Sequence, residues 1–327
     1  MIRVVKLTII FVLCTSLLSW ATSEIAQSDT NFSSWLAELR EEALGEGIQQ
    51  ATLDEALTSV LPLTWIIDAD RNQPEFKKSL DKYLDGILTP QRVERGRQML
   101  AENRLLLFRI SKQYHVSSRF IVELRGIETY YGKHTGKVPI IDALVTLAYD
   151  GRRSDYFRQE LFNALKIIDA GHISYEKMKG SWAGAMGQLQ FMPSSFLKFA
   201  VDGNGDGRID LWQTKEDYLS SAANYLAKVG WESNRSWGLE VVVPRNFDRS
   251  LIDEEQRLFL ETWREYGLRT LDGNDFPQDS LRALLIQPEG HSGRSFLVFE
   301  NYHALMKWNR AASFALAVGM LADRIAQ

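Results

Sequence analysis

Leu124-Arg125-Gly126-Ile127-Glu128-Thr129-Tyr130-Tyr131-Gly132 is the stretch on which the reading of this chain turns. It closes a segment that starts at Ser117 and carries Phe120, Ile121, Val122, Leu124 and Ile127 with few polar positions between them. Such a pattern predicts a helix buried over most of its circumference. Ser117 is the expected N-cap and Gly132 the expected terminator. Glu128 then falls near the last turn. Burial disfavours its charged form, and the partial negative charge of a helix C-terminus acts in the same direction. A Glu kept protonated near neutral pH can serve as a general acid. The same side chain could instead bend to water or pair with Arg125 or Lys133, and the spacing alone does not choose. Glu123 lies one turn from Arg119 and is expected to pair with it in a structural role.

Helical patterning extends outward on both sides. Val93, Gly96, Leu100, Asn103, Leu107, Ile110 and Tyr114 step by three and four, which predicts one amphipathic helix across 92–114. Phe32, Trp35, Leu36, Leu39 and Ala43 predict another, and Tyr218, Ala222, Tyr225 and Val229 a third. After Trp237 the pattern changes. Leu239, Val241 and Val243 alternate, and β-rich runs at 281–287 and 295–300 flank a Pro-Glu-Gly-His-Ser-Gly loop. A small antiparallel sheet is expected there, followed by a closing helix from about Ala311 to Ile325. The fold class is thus mainly α with a small β element. The expected division is an N-terminal helical region at 24–89, a helical core at 90–236, a β-containing subdomain at 237–300 and a return to the core at 301–327.

Composition limits the function classes. Of 327 residues, 45% are hydrophobic and 24% charged, which excludes a disordered chain. Lys and Arg number 38 against 42 Asp and Glu, and no basic stripe suggests a nucleic-acid partner. The lone Cys14 excludes a disulfide scaffold and a Cys-rich zinc site. Residues 1–23 read as an export signal: Arg3 and Lys6 ahead of the apolar run 7–20, then Ala21-Thr22-Ser23 as a cleavage site. The run is short for a bilayer span, a retained anchor being the alternative. Phe11-Val12-Leu13 lacks the small residue expected ahead of a lipidated cysteine. The expectation is an exported periplasmic protein that is not a lipoprotein and has no membrane span after the leader is removed.

Two further segments carry chemistry. In 179–195, glycines and alanines are interleaved with Trp182, Gln188, Gln190 and Phe191. Small residues allow close approach of a ligand to the backbone, and Ser181 and Gln190 offer donors and acceptors that suit a neutral sugar; tight core packing is the alternative. The segment Asp202-Gly203-Asn204-Gly205-Asp206-Gly207-Arg208 has oxygen donors at loop positions one, three and five, a glycine at six and the Arg208 carbonyl at seven, as in a calcium loop. Position twelve is Gln213, where a standard loop has a bidentate Glu; the nearby carboxylates are Glu216 and Asp217, and Asp210 is a candidate acting through water. A Gly/Asp/Asn turn without metal is the alternative.

Gly126-Ile127-Glu128-Thr129, Ile141-Asp142-Ala143-Leu144-Val145-Thr146-Leu147-Ala148-Tyr149, Arg152-Arg153 with Tyr156-Phe157, and Gly184-Ala185-Met186-Gly187 through Gln190-Phe191-Met192-Pro193-Ser194 together resemble the lytic murein transglycosylase B family (glycoside hydrolase family 103). The resemblance runs from about residue 30 to the end. It implies a lysozyme-like core and a carbon–oxygen lyase that cleaves the MurNAc-β-1,4-GlcNAc bond of peptidoglycan and leaves 1,6-anhydro-MurNAc ends. It further implies Glu128 as the catalytic residue and Ser181, Gln190, Tyr225 and Asn309 as substrate-binding. It implies structural Ca2+ on Asp202, Asn204, Asp206, Arg208 and Asp217, with Asp217 favoured over Glu216 as the closing ligand, and no cofactor for catalysis. Ala311 and Phe314 depart from the family pattern, which has Ser and often Tyr there. Three competing readings remain at this point. One is a hydrolytic muramidase with Asp142 as a second carboxylate, although its context suggests a helix-start cap. The others are a non-catalytic peptidoglycan-binding protein and a calcium-dependent interaction module.

Overall fold

The computed structural model describes residues 31–72, 79–248, 256–276 and 280–327. The expected leader at 1–23 lies outside the described residues. Within them, no helix is long and apolar enough to cross a membrane.

Helix α1 (31–45) is followed by α2 (Gln50–Leu57), α3 (Thr64–Asn72), α4 (Leu80–Ile87), α5 (Pro90–Glu102), α6 (Arg104–Tyr114) and α7 (Ser118–Thr129). After the short strand β1 (Val138–Pro139) come α8 (Ile140–Tyr149), α9 (Ser154–Asp169), strand β2 (Lys179–Gly180), α10 (Pro193–Phe199) and α11 (Lys215–Lys228). The rest comprises β3 (Gly238–Val242), β4 (Leu258–Phe259), α12 (Leu260–Glu265), β5 (Arg269–Thr270), β6 (Arg282–Ile286), β7 (Ser295–Val298), α13 (Glu300–Trp308) and α14 (Ala312–Ile325). The class is mainly α with a small antiparallel sheet.

Apolar burial places α7, α8 and α14 at the centre. On α7 every side chain from Phe120 to Leu124 is buried, and on α8 all but Asp142 and Tyr149 are. Helix α7 packs between α5 and α14, and α8 lies along α9. Arg119 does not pair with Glu123. Its Nη1 donates to Asp323 of α14 at 2.8 Å, while Glu123 points into the protein. An i,i+4 pair needs an exposed helix face, and position 123 faces α5. The stripe across 92–114 is two helices instead of one. Asn103 breaks it: its backbone leaves helical geometry at φ −113° and ψ 18°, and its side-chain amide joins its own backbone N–H on the Met99 carbonyl, at 2.9 Å. Ser117 stands at the N-cap of α7 with extended backbone but makes no side-chain cap bond.

The sheet has the order β4-β6-β7-β3-β5 with all neighbours antiparallel. Leu297 of β7 is opposite Leu239 on one side and Leu285 on the other. The hairpin read at 281–300 is β6 and β7; the two-residue strands β4 and β5 are too short to leave a periodic signal. Val241, Trp263, Leu268, Leu285 and Leu297 form an apolar cluster distinct from the helical core. Trp237 joins the sheet to the helices. Its indole lies so close over Gly319 of α14 that a Cβ there would come within 2.2 Å of the ring, and its Nε1 donates to Asp323 at 2.9 Å.

Candidate active site

Helix α7 ends at Thr129, earlier than Gly132. Tyr130 and Tyr131 both take left-handed backbone, with φ of 51° and 56°, and Gly132 follows at 89°. The Tyr130 N–H closes the helix on the Arg125 carbonyl. Gly132 has a different role from the expected cap: a Cβ there would lie 2.4 Å from Gln188 Oε1 and 2.5 Å from Arg125 Nη2. The chain after the helix is therefore pressed against the 179–190 segment. Thr129 Oγ1 lies 3.0 Å from the Gln188 carbonyl and accepts from the Gly132 amide at 3.0 Å. Arg125 donates to Gln188 Oε1 at 2.8 Å, which removes it as a partner for Glu128.

Glu128 is half-buried, and its partner comes from the far end of the chain. Trp308 Nε1, at the end of α13, donates to Glu128 Oε1 at 2.8 Å. Burial pushes the Glu128 carboxyl up to about 7, and the Trp308 bond works in the opposite direction. The indole is held by Tyr225 of α11 at 4.7 Å and Phe191 at 5.1 Å between ring centroids. Tyr225 is buried, and its hydroxyl donates to the Lys307 carbonyl at 2.6 Å, one residue before that tryptophan.

The other sugar-binding candidates enter through these neighbours. Gln190 precedes Phe191 and has left-handed backbone; its side-chain amide donates to the carbonyls of Thr135 at 3.1 Å and Gly187 at 3.0 Å. Ser181 Oγ accepts from the Ala185 amide at 3.0 Å, which fixes the oxygen and leaves its proton to donate elsewhere. Bridges from Met186 to both Gly180 and Phe191 fold this glycine-rich segment back on itself. Asn309 follows Trp308, is exposed, and accepts from the Ala311 amide at 3.0 Å. Helix α10 begins at Pro193 as expected, with Glu160 of α9 accepting from the Ser194 amide at 2.8 Å. Asp142 is not a helix-start cap. It sits in the first turn of α8 and accepts from the Tyr175 hydroxyl at 3.1 Å.

A second buried carboxyl lies on the same helix. Glu123 is fully buried, with Tyr131 Oη 3.0 and 2.9 Å from its two oxygens. Burial pushes Glu123 up to about 8, opposed by the Tyr131 hydrogen bond and the Arg92 charge. Arg92 Nη1 bonds the Gly126 carbonyl, and the guanidinium lies over the Tyr130 ring at 4.7 Å.

In the acidic loop, Asp202 accepts from the Gly205 amide at 2.6 Å and the Gly207 amide at 2.8 Å, and these backbone bonds hold its carboxyl below the usual range. Asn204 and Asp206 accept from the Asp206 and Arg208 amides. Asp217, buried in the first turn of α11, accepts from Gly203 at 2.9 Å and Asp210 at 2.7 Å and so ties both ends of the loop. Burial raises its pKa, and the charges of Asp202 and Asp206 add to this. Asp210 itself accepts from the Trp212 and Gln213 amides. Glu216 is only partly buried, and its carbonyl lies against Gly203. The donors are hard oxygens of the kind calcium selects. Among the described residues, no three His, Cys, Asp or Glu side chains already converge as a metal cluster.

Residues 31–323 match the family model described as the transglycosylase SLT domain. The chain belongs to the transglycosylase SLT domain family. It is 31% identical to membrane-bound lytic murein transglycosylase B of Escherichia coli K12 over 252 residues, which is 75% of this chain and 67% of that protein. SltB3 from Pseudomonas aeruginosa, solved in complex with NAG-anhNAM-pentapeptide and with NAG-NAM-pentapeptide, superposes with a TM-score of 0.87 at 41% identity, covering 90% of this chain and 79% of that one. The E. coli lytic transglycosylase Slt35 in complex with calcium gives a TM-score of 0.75 at 26% identity, covering 89% and 92%. The fold is thus that of the lysozyme-like lytic transglycosylases, and the chain is an enzyme of that class. Within this family frame, sequence reading passed over Trp308 as the partner of Glu128, Gln188 as the hub of the turn, and the Glu123–Tyr131 pair. Each is a contact between distant segments or a burial effect. Only the tyrosine following the Glu128 motif offered a local hint.

Proposed function

We propose that Glu128 is the sole acid and base of this transglycosylase and that its substrate is the MurNAc-β-1,4-GlcNAc bond of peptidoglycan. The observation that carries the reading is the bond from Trp308 Nε1 to Glu128 Oε1 at 2.8 Å on a carboxyl pushed up to about 7. A carboxyl with that pKa is available in both protonation states near neutrality, as one group serving two proton transfers requires. Protonated Glu128 gives its proton to the leaving glycosidic oxygen. The carbonyl oxygen of the muramic N-acetyl group closes on C1 as the bond to the leaving sugar breaks, forming an oxazolinium. Glu128, now a carboxylate, takes the proton of the C6 hydroxyl; O6 then bonds C1 and the acetamido oxygen leaves. The product is a 1,6-anhydro end and no water is consumed, unlike the two-carboxylate scheme. The Trp308 N–H donates to the carboxylate formed between the two steps.

In this reading Ser181, Gln190 and Asn309 hydrogen-bond the sugars, and Tyr225 contributes through the Trp308 ring it supports. Calcium would be held by Asp202, Asn204, Asp206, the Arg208 carbonyl and Asp217, and would supply charge balance for those acids as a structural staple. Export on residues 1–23 to the periplasm would bring the enzyme to its polymer. The division into 24–89, 90–236, 237–300 and 301–327 is retained, with the sheet as the subdomain.

The test is digestion of purified sacculi by the wild type and by Glu128→Gln, with products read by mass spectrometry. The wild type is expected to release 1,6-anhydro muropeptides and the variant to fall by roughly 10²–10⁴-fold. Reducing ends from the wild type would reject the cyclisation. An unaltered rate in the variant would reject Glu128.

A further inference from the structure

Behind the turn that ends α7, three elements leave a small space, and a carboxyl and a phenol fill it. A Cβ on Gly96 of α5 would come 2.4 Å from Glu123 Oε1 and 2.8 Å from Tyr131 Oη. One on Gly126 of α7 would come 2.7 Å from Glu123 Oε2 and 2.7 Å from the Tyr131 ring. Ile325 of α14 closes the third side, 2.8 Å from the same Gly96 position. The pair is therefore seated between two glycines.

Counting protons sets its state. Tyr131 Oη lies 2.9 Å from the Arg92 carbonyl oxygen as well as 2.9 and 3.0 Å from the Glu123 oxygens. A phenol has one proton to donate. If Glu123 were ionised, either the carboxylate or the carbonyl would face Oη lone pairs across a hydrogen-bonding distance in a buried site. If Glu123 carries a proton, one of its oxygens donates to the phenol and the phenol donates to the Arg92 carbonyl, so both groups are joined to Oη through a hydrogen. A charged group beside the pair is Arg92, whose Nη1 bonds the Gly126 carbonyl and whose Nε is buried with no hydrogen-bond partner among the described residues.

We propose that Glu123 is a positioning residue for Glu128: as a neutral acid it donates to Tyr131, which donates to the Arg92 carbonyl, and this relay pins the left-handed Tyr130–Tyr131 turn on which the end of α7 depends. The link to Glu128 is short. Tyr130 and Tyr131 follow Thr129 with φ of 51° and 56°, a conformation that side chains other than glycine hold only where their surroundings enforce it. The relay fixes Tyr131 from one side, and Arg92 fixes Tyr130 from the other.

The inference rests on Glu128 as the acid, and the test separates the two. Glu123→Gln keeps a donor to Tyr131, whereas Glu123→Leu fills the space without one. On soluble glycan chains, Glu123→Leu is expected to lower kcat by about 10-fold or more with KM within a factor of about two, because misplacing the acid weakens the chemical step more than binding. Glu123→Gln is expected to restore the wild-type kcat. Equal losses in both variants, or no loss in Glu123→Leu, would overturn the relay. The protonated-carboxyl stretch in the infrared gives a reading independent of activity. At neutral pH it should be stronger in Glu128→Gln than in Glu128→Gln/Glu123→Gln, and identical spectra would show Glu123 ionised. An active Glu128→Gln would sink the assignment of the acid while leaving that spectral comparison to decide Glu123 on its own.

Discussion

Replacing Trp308 by Phe removes one hydrogen-bond donor from Glu128 while leaving an aromatic ring against Tyr225 and Phe191. The deleted bond is 2.8 Å long and lowers the Glu128 pKa against the larger effect of burial. A hydrogen bond to a charged group is worth about 1.5–3 kcal/mol. The neutral carboxyl also accepts from the indole, so only part of that difference separates the two protonation states, and the expected shift is about one pKa unit, or ~1.4 kcal/mol. The sign follows from which form gains: the bond favours the carboxylate, so its loss raises the pKa, from about 7 in the wild type to roughly 8 in the variant. Glu128 must start protonated, so the high-pH fall of kcat/KM should move up by about one pH unit. Below that fall the rate should drop by about tenfold, since the carboxylate formed after the first proton transfer loses its donor. The assay is the pH dependence of kcat/KM for release of 1,6-anhydro ends from soluble glycan chains, with circular dichroism to verify folding. A limb that stays in place or moves down would mean that the acid titrating in the rate is not the carboxyl bonded to Trp308.

Stability should decline with pH across the same range. Glu123 and Glu128 have folded-state values of about 8 and about 7, above their unfolded values. The folded chain therefore holds extra protons from roughly pH 4.5 upward, and stability is lost as pH rises through the folded pKa values. Glu123→Gln should flatten that decline by an amount of order 3 kcal/mol between pH ~5 and ~9, read from urea melts; an unchanged slope would refute the Glu123 shift. Gly126→Ala puts a Cβ 2.7 Å from both Glu123 Oε2 and Tyr131 Cε1, and overpacking of this kind should cost about 1–3 kcal/mol in a thermal melt. Chelation should lower Tm and added calcium restore it, at ~2.7 kcal/mol for a hundredfold excess over Kd. Asp217→Asn should abolish that response, and a wild-type Tm indifferent to calcium would leave the loop as a simple turn.

What was legible in the sequence was what neighbours along the chain determine. The apolar circumference of 117–130 marked a buried helix, and Phe120 to Leu124, Gly126 and Thr129 are buried. Donors two residues apart marked the acidic loop, where Asp202, Asn204 and Asp206 do turn onto their own loop amides. Failures came where a local rule assumes solvent. Pairing Arg119 with Glu123 treats α7 as having a wet face, but the burial already inferred for that helix left no such face at position 123. Gly132 reads as the cap because glycine tolerates left-handed backbone; Tyr130 takes that conformation first, and the glycine is needed for the approach of Gln188. Trp308 lies 180 residues from Glu128, too far for any periodicity to connect them.

The two tyrosines tie these failures together. Each non-glycine residue held in left-handed backbone costs of order 1–3 kcal/mol, so the turn after Thr129 needs offsetting contacts on both rings. Tyr130 has the Arg92 guanidinium, and Tyr131 has the Glu123 carboxyl and the Arg92 carbonyl. Helix α5 therefore reaches both tyrosines of the turn through Arg92, which bonds the Gly126 carbonyl as well. The motif that identifies the acid, Gly126 to Thr129, lies between contacts made by residues outside it. Placement of Glu128 then depends as much on Arg92 and Glu123 as on the motif itself. A transfer of the motif alone to another helix would carry the carboxyl without the turn that aims it.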